Sequence, residues 1–102
     1  MSQNFNQKVY EYVKTVPPGK VVTYGQVACA IGCPHSARQV GWALHKNPEF
    51  GVIPCHRVVF ADGSVCAGFA FGGKDVQKAM LESEGVEVAD YKIDLKKFRW
   101  NG

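Results

Sequence analysis

The sequence predicts a mostly α-helical domain with a small β element, and three observations carry that expectation. Apolar residues recur at helical spacing in three separate stretches, each bounded by capping or helix-breaking residues. One β-branched run, residues 52–60, interrupts them. The chain of 102 residues, 46% apolar and 21% charged, has the size and balance of one globular domain with one core. No repeat or Pro/Gly/Ser linker divides it, so residues 1–102 are read as a single domain. Disorder and low complexity are excluded by the same balance. No apolar run approaches the ~18 residues of a membrane span, and the N-terminus lacks a signal peptide's apolar block. The expectation is a soluble, cytoplasmic protein with no membrane association.

The first helix places Phe5, Val9, Tyr12, Val13 and Val16 in one apolar stripe. Pro17-Pro18-Gly19 ends it, because proline cannot continue the hydrogen-bond ladder. Lys20-Val21-Val22 reads as a short extended link. Thr23 and Gln26 then fit a capping box, the hydroxyl accepting a backbone N–H and the glutamine reaching back. They open a short helix, Tyr24 to Ile31, that closes at Gly32. Ser36 and Gln39 repeat the box and open a helix with Val40, Ala43 and Leu44 facing inward, which stops before Asn47-Pro48. Two short helices joined by Gly32-Cys33-Pro34-His35 have the proportions of a helix-turn-helix, and equally of an ordinary helical hairpin.

From Val52 to Phe60 the chain reads as extended, followed by a turn at Ala61-Asp62-Gly63. Gly68 to Gly73 reads as an ordered loop. Lys74 to Ser83 forms a helix whose buried face is Val76, Ala79, Met80 and Leu81, ended by Gly85. Val86-Glu87-Val88 looks like a short strand. The tail, Asp94 to Trp100, docks by its apolar members.

Charge is modest and uneven. The net charge is +3; residues 1–61 carry six cations against two anions, and residues 62–102 six against seven. The positive half is where a polyanion would sit, although the excess is small. Cysteines 29, 33, 55 and 66 lack a secretory context, so reduced thiols are expected. Their spacing with His35 is poor for zinc, and no metal is expected.

The sharpest local feature is Pro54-Cys55-His56-Arg57-Val58. A free cysteine is only a few per cent thiolate near neutral pH, so a working nucleophile needs a base or cation nearby. His56 is adjacent in sequence, but neighbours on an extended segment point to opposite sides, so a bend or bridging water is required. A buried structural cysteine beside a surface histidine fits these residues as well.

Pro-Cys-His-Arg-Val resembles the active-site signature of the O6-alkylguanine-DNA alkyltransferases, and residues 5–90 resemble their C-terminal domain. Val22-Thr23-Tyr24-Gly25 is similar to the family's segment opening its helix-turn-helix, and Ser36-Ala37-Arg38-Gln39-Val40-Gly41 to its recognition helix. Asn47-Pro48 matches the asparagine hinge, and Met80 to Gly85 the Leu-Leu-x-x-Glu-Gly segment. The resemblance implies a single-turnover methylated-DNA–protein-cysteine methyltransferase acting on double-stranded DNA that contains O6-alkylguanine. Cys55 would take the alkyl group, His56 would accept its proton through a water, and Glu84 would orient that imidazole. Asn47 would tie the turn carrying Cys55 to the helix-turn-helix. Tyr24 would crowd the phosphate beside the lesion and donate its hydroxyl proton toward the departing guanine, and Arg38 would fill the vacated stack. Thr23, Ala37 and Gly41 complete the implied DNA contacts; Cys55, Val58 and Ala70 form the implied base site. O6 lies within the duplex, so the nucleotide must rotate out, at a cost of about a few kcal/mol. Because contacts go to phosphates and the minor groove, sequence preference should be slight. A thioether has no easy leaving path, so Cys55 stays alkylated and no cofactor is expected; the protein is expected to be a monomer.

Two departures qualify the resemblance. The chain has the short architecture of the alkyltransferase-like proteins, which bind the lesion without repairing it and commonly carry tryptophan at the cysteine position, yet it keeps Cys55. Where many family enzymes have Tyr-Ser-Gly-Gly, this chain reads Phe69-Ala70-Phe71-Gly72-Gly73, which removes a serine hydroxyl near O6. Cys66 begins this loop and reads as a spectator more than as a second thiol of the pocket. Three readings therefore stand in order: an alkyltransferase, a non-enzymatic lesion sensor serving nucleotide excision repair, and a plain helix-turn-helix domain with an inert cysteine. The inward carboxylate of Glu84 should pair with His56, favour the imidazolium and thereby lower the thiol pKa; pairing with Arg57 or a helix end is the alternative.

Overall fold

In the computed structural model, which describes residues 4–48, 52–66 and 72–101, a reciprocal cap that the sequence reading missed starts the first helix. Asn4 accepts the Gln7 N–H at 2.9 Å and Gln7 accepts the Asn4 N–H at 3.1 Å, opening α1 (Phe5–Lys14). Val9 and Val13 on its inner face are fully buried. β1 (Val22–Thr23) leads directly into α2 (Tyr24–Ala30), and Gly32, at φ +80°, turns the chain toward α3 (Ala37–His45). The Thr23 hydroxyl accepts the Gln26 N–H at 3.1 Å, as expected. The reciprocal half is absent: the Gln26 amide instead donates to the Trp100 carbonyl and accepts from Arg99 Nε at 2.9 Å. Ser36 makes no capping bond, because at φ −110°, ψ 28° it lacks the extended geometry that aims a hydroxyl at the first turn.

The run from Val52 to Phe60 is a larger correction. Only β2 (Val58–Val59) is strand; Cys55–Arg57 is a 3-10 turn, with the Arg57 N–H on the Pro54 carbonyl at 3.0 Å. The reason lies in the side chains. His56 and Arg57 both reach Glu84, which consecutive residues of a strand cannot do from opposite faces. β2 pairs parallel with β1, Val22 opposite Val58 and Thr23 opposite Val59, which fixes the turn against the start of α2. In the turn at Ala61-Asp62-Gly63, a Cβ on Gly63 would stand 2.3 Å from the Ile93 carbonyl oxygen, so only glycine fits.

α4 (Gly73–Ser83) buries Gln77 and Leu81, not the expected apolar set. Val76 and Ala79 are exposed and Met80 is half-buried. The helix is rotated so that a polar side chain, Gln77, meets the turn at Cys55–Arg57. Val86 to Val88 forms no strand; Val86 is buried in an apolar cluster with Leu81 and Ile93, and Ala89, just beyond the segment, makes an isolated bridge to Lys92. The tail docks as expected, through α5 (Leu95–Phe98): Phe98 is buried, Val21 bonds both Phe98 and Trp100 through its backbone, and Trp100 packs on Tyr12.

Two apolar clusters result. One joins α1, α2 and α3 around Val9, Val27, Val40 and Ile53 and includes Cys55; the other joins Val59, Leu81, Ile93 and Phe98. The Cys55–Val59 segment crosses from one cluster to the other. No helix among the described residues is long and apolar enough to cross a membrane.

Candidate nucleic-acid interface and reactive thiol

Cys55 opens the 3-10 turn and is 7% exposed. Its N–H donates to the Ile53 carbonyl at 2.8 Å, and Asn47, just beyond α3, donates to the same carbonyl at 2.9 Å. The Asn47 side chain also hydrogen-bonds the thiol. Asn47 thus spans α3 and the turn, which is where the resemblance places it. Burial pushes the Cys55 thiol up from its ordinary value, and the bonds from Asn47 and the backbone only partly offset this. The sulfur at rest is therefore a protonated thiol.

His56 follows, 6% exposed, with Nε2 2.9 Å from Glu84 Oε2. Arg57 reaches the same carboxylate through Nε at 3.0 Å and Nη2 at 2.6 Å, while its Nη1 donates to the Val16 carbonyl at 2.9 Å. Both partners considered for Glu84 are present. Burial opposes its charge, but the hydrogen bonds from Arg57 and His56 outweigh that and hold the carboxyl below its ordinary value. Burial also pushes His56 down; Glu84 works against this, and the Arg57 charge adds to it. The imidazole is neutral near pH 7, so the expected imidazolium, and with it a lowered thiol pKa, does not arise. Glu84 already has its compensating cation in Arg57. The carboxylate beside Nε2 places the ring proton there and leaves Nδ1 as the accepting nitrogen.

On the outer side of α2 and α3 lies an open cavity of about 420 Å³. Its wall brings together Tyr24, Ala37, Arg38 and Gly41, four of the residues singled out from sequence, and adds Trp42, His45, Phe60 and Cys66. Arg38, Trp42 and His45 recur at i, i+4 and i+7 on α3, a spacing that would have found them. Tyr24 packs on Phe60 with ring centroids 5.3 Å apart. Burial, then the neighbouring Cys66 thiol to which it is hydrogen-bonded, then Cys55, hold the Tyr24 phenol well above its ordinary value, so it stays a proton-bearing hydroxyl. A Cβ at Gly41 would meet only the Tyr24 ring, at 3.8 Å. Internal packing does not require glycine there, although glycine in a helix costs about 0.5–1 kcal/mol; the bare position keeps the outer wall low.

The remaining candidates are placed differently. Thr23 is buried and its hydroxyl is committed to the cap of α2. Val58 is fully buried in the ladder. Neither they nor Cys55 line the cavity, and Ala70 lies outside the described residues. Among the described residues, no group of three metal-ligating side chains converges.

Comparison with known proteins adds to this geometry. Residues 4–86 match the family described as 6-O-methylguanine DNA methyltransferase, DNA binding domain. Alkyltransferase-like protein 1 of Schizosaccharomyces pombe is 42% identical over 102 residues, covering 94% of each chain. The crystal structure of S. pombe Atl1 in complex with damaged DNA containing O6-carboxymethylguanine superposes over all of both chains, with a TM-score of 0.89 and 37% identity. The methylated-DNA–protein-cysteine methyltransferase of Saccharolobus islandicus is 43% identical over 86 residues, 84% of this chain and 54% of the enzyme. A family match over residues 4–86 and relatives 42% and 43% identical agree, and the chain belongs to the 6-O-methylguanine DNA methyltransferase DNA-binding-domain family.

Proposed function

We propose that the protein binds O6-alkylguanine in duplex DNA, rotates the nucleotide out of the stack and transfers the alkyl group once, irreversibly, to Cys55. The observation that carries this reading is a thiol next to a histidine locked to a carboxylate (His56 Nε2 to Glu84 Oε2, 2.9 Å), on a turn whose Cys55 lies within electrostatic reach of Tyr24 on the cavity wall. An inert structural cysteine has no need of that arrangement.

The chemistry follows from the protonation states. The Cys55 thiol gives up its proton as substrate enters, with Nδ1 of the neutral His56 accepting it through a water. The sulfur attacks the alkyl carbon, the C–S bond forms, the C–O6 bond breaks, and the electron pair leaves on O6. The proton ends on guanine, so the products are a thioether and an unmodified base. Glu84, balanced by Arg57, supports the imidazolium that exists only during transfer. Tyr24 keeps its proton and donates a hydrogen bond to the departing base. Arg38, exposed on the first turn of α3, occupies the gap left by the flipped nucleotide.

A second reading is favoured by a specific observation: the buried Cys55 is a resting thiol, and the likeness to alkyltransferase-like protein 1 extends over 94% of each chain. In that reading the protein binds the lesion without chemistry and hands it to nucleotide excision repair. The intact mass of the protein after mixing with O6-methylguanine duplex decides between them. Transfer adds one methyl group, mapped to Cys55 and to no other cysteine. Tight, lesion-selective binding with an unchanged mass establishes the sensor instead.

A further inference from the structure

Gln77 lies on α4 facing the turn, with none of its surface exposed, and every hydrogen-bonding group of its side chain is used. Its Nε2 donates to the His56 carbonyl and to the Val58 carbonyl, each at 3.0 Å. Its Oε1 accepts the Cys66 N–H at 2.8 Å. The two carbonyls flank Arg57 on the turn that carries Cys55, whereas Cys66 belongs to the cavity wall and is hydrogen-bonded to Tyr24.

Burying an amide costs free energy unless it is fully paired, and Leu81, one turn further along α4, shows that the same helix face accepts an apolar side chain. What leucine cannot provide is a fixed distance between two backbone segments. Among the described residues, β2 is paired by ladder bonds with β1, and no ladder joins it to residue 66. The Gln77 amide makes that connection. It complements Glu84, seven positions on, which holds the same turn by its side chains.

We infer that Gln77 is a positioning residue for alkyl transfer: its side-chain amide sets the spacing between the turn carrying Cys55 and the cavity wall at Cys66, without touching the lesion. The inference rests on the proposed reading of this site as an alkyl acceptor.

Two substitutions test it. Gln77→Met keeps the length and removes all three bonds. Gln77→Glu keeps an acceptor for the Cys66 N–H but, ionised, has no donor for the two carbonyls. Both variants are assayed as full chains under conditions where circular dichroism and urea titration show them folded. Methyl transfer from O6-methylguanine duplex to Cys55 is expected to slow by at least about tenfold in both, since small misplacement of reacting groups costs that much or more. Alkylation of Cys55 by iodoacetamide, which needs no cavity, is expected to be as fast as in the wild type or faster, because a loosened turn uncovers the thiol. Wild-type transfer rates in either variant overturn the inference, and so does an equal loss toward DNA and iodoacetamide. If wild-type protein gains no methyl group, the proposed chemistry fails by itself. The ratio of affinities for lesion and undamaged duplex then tests Gln77: a drop in Gln77→Met supports it, and an unchanged ratio overturns it.

Discussion

The turn that carries Cys55 and the cavity wall formed by α2 and α3 are built to opposite standards. At the turn, Asn47, His56, Gln77 and Glu84 all have partners, and no buried polar side-chain atom among the described residues lacks one. At the wall, Trp42 is 59% and Phe60 44% exposed. Groups that must act on a bond need their geometry set before substrate arrives, whereas a recognition surface is completed by what it binds. An exposed aromatic patch around an arginine is what such an unfinished surface looks like. The difference also assigns costs: damage to the turn should appear in chemistry and stability together, and damage to the exposed part of the wall, at Arg38 and Trp42, in recognition alone.

The sharpest way to break that division is Glu84→Gln. The carboxylate partners of His56 and Arg57 vanish together, so transfer should slow by about a hundredfold, the usual worth of a supported proton acceptor. Stability should fall by about 2 kcal/mol, less than for a fully buried pair because Glu84 keeps 17% of its side chain in solvent. Stopped-flow transfer assays and urea titrations read the two effects separately. A rate loss no larger than the loss of folded protein would make Glu84 purely structural.

Leu81→Ala and Trp42→Ala contrast the two regions by stability alone. Leu81 is fully buried beneath the turn, so its truncation should cost about 2–4 kcal/mol in urea titration. Trp42→Ala should stay within about 0.5 kcal/mol of wild type. Equal costs would mean that the wall is part of the core.

Recognition should respond in the reverse sense. Arg38→Ala and Tyr24→Phe should each reduce affinity for lesion duplex by about tenfold, the scale of a contact made only with the extruded nucleotide. Binding to undamaged duplex should change much less. Fluorescence anisotropy on paired duplexes measures both, and equal losses on the two would remove either residue from a flipping role.

Much of this arrangement was legible in the sequence, and the misses share a cause. α1, the Thr23 cap and the inward Val40, Ala43 and Leu44 follow from periodicity and local bonding, which a linear pattern records. The 3-10 turn at Cys55 was hidden because β-branched neighbours favour strand locally, while the decisive contact, two adjacent side chains on Glu84, is 27 and 28 positions away. Gln77 was hidden for the same reason: a glutamine on a helix is ordinarily a solvated residue, and only the carbonyls it meets make it interior. Resemblance named Glu84 and His56 as partners and the residues themselves offered Arg57 as the alternative, but neither showed that both hold the carboxylate at once or that burial leaves the imidazole neutral.

The smallest effect, and the one most specific to the turn, is the dependence of stability on pH. His56 has a folded pKa below its ordinary 6.5, because burial outweighs Glu84. The unfolded chain therefore takes up that proton first as pH falls, so the contribution is fully present above 6.5 and is lost below it. Glu84, also depressed, adds a second loss as pH falls below its ordinary 4.5. Cys55 is shifted the other way: the unfolded thiol ionises near 9.0 while the folded one resists, so stability declines as pH rises past that value. Urea midpoints should thus form a plateau between 6.5 and 9.0 with a decline on each side. Transfer should instead keep accelerating as pH rises past 9.0, where the folded thiolate fraction is still growing. Cys55→Ser should delay the alkaline decline to above pH 10.0, where the buried Tyr24 phenol adds its own, and leave the acid one intact. An acid decline that disappears in this variant would mean that His56 answers to the thiol and not to burial and Glu84.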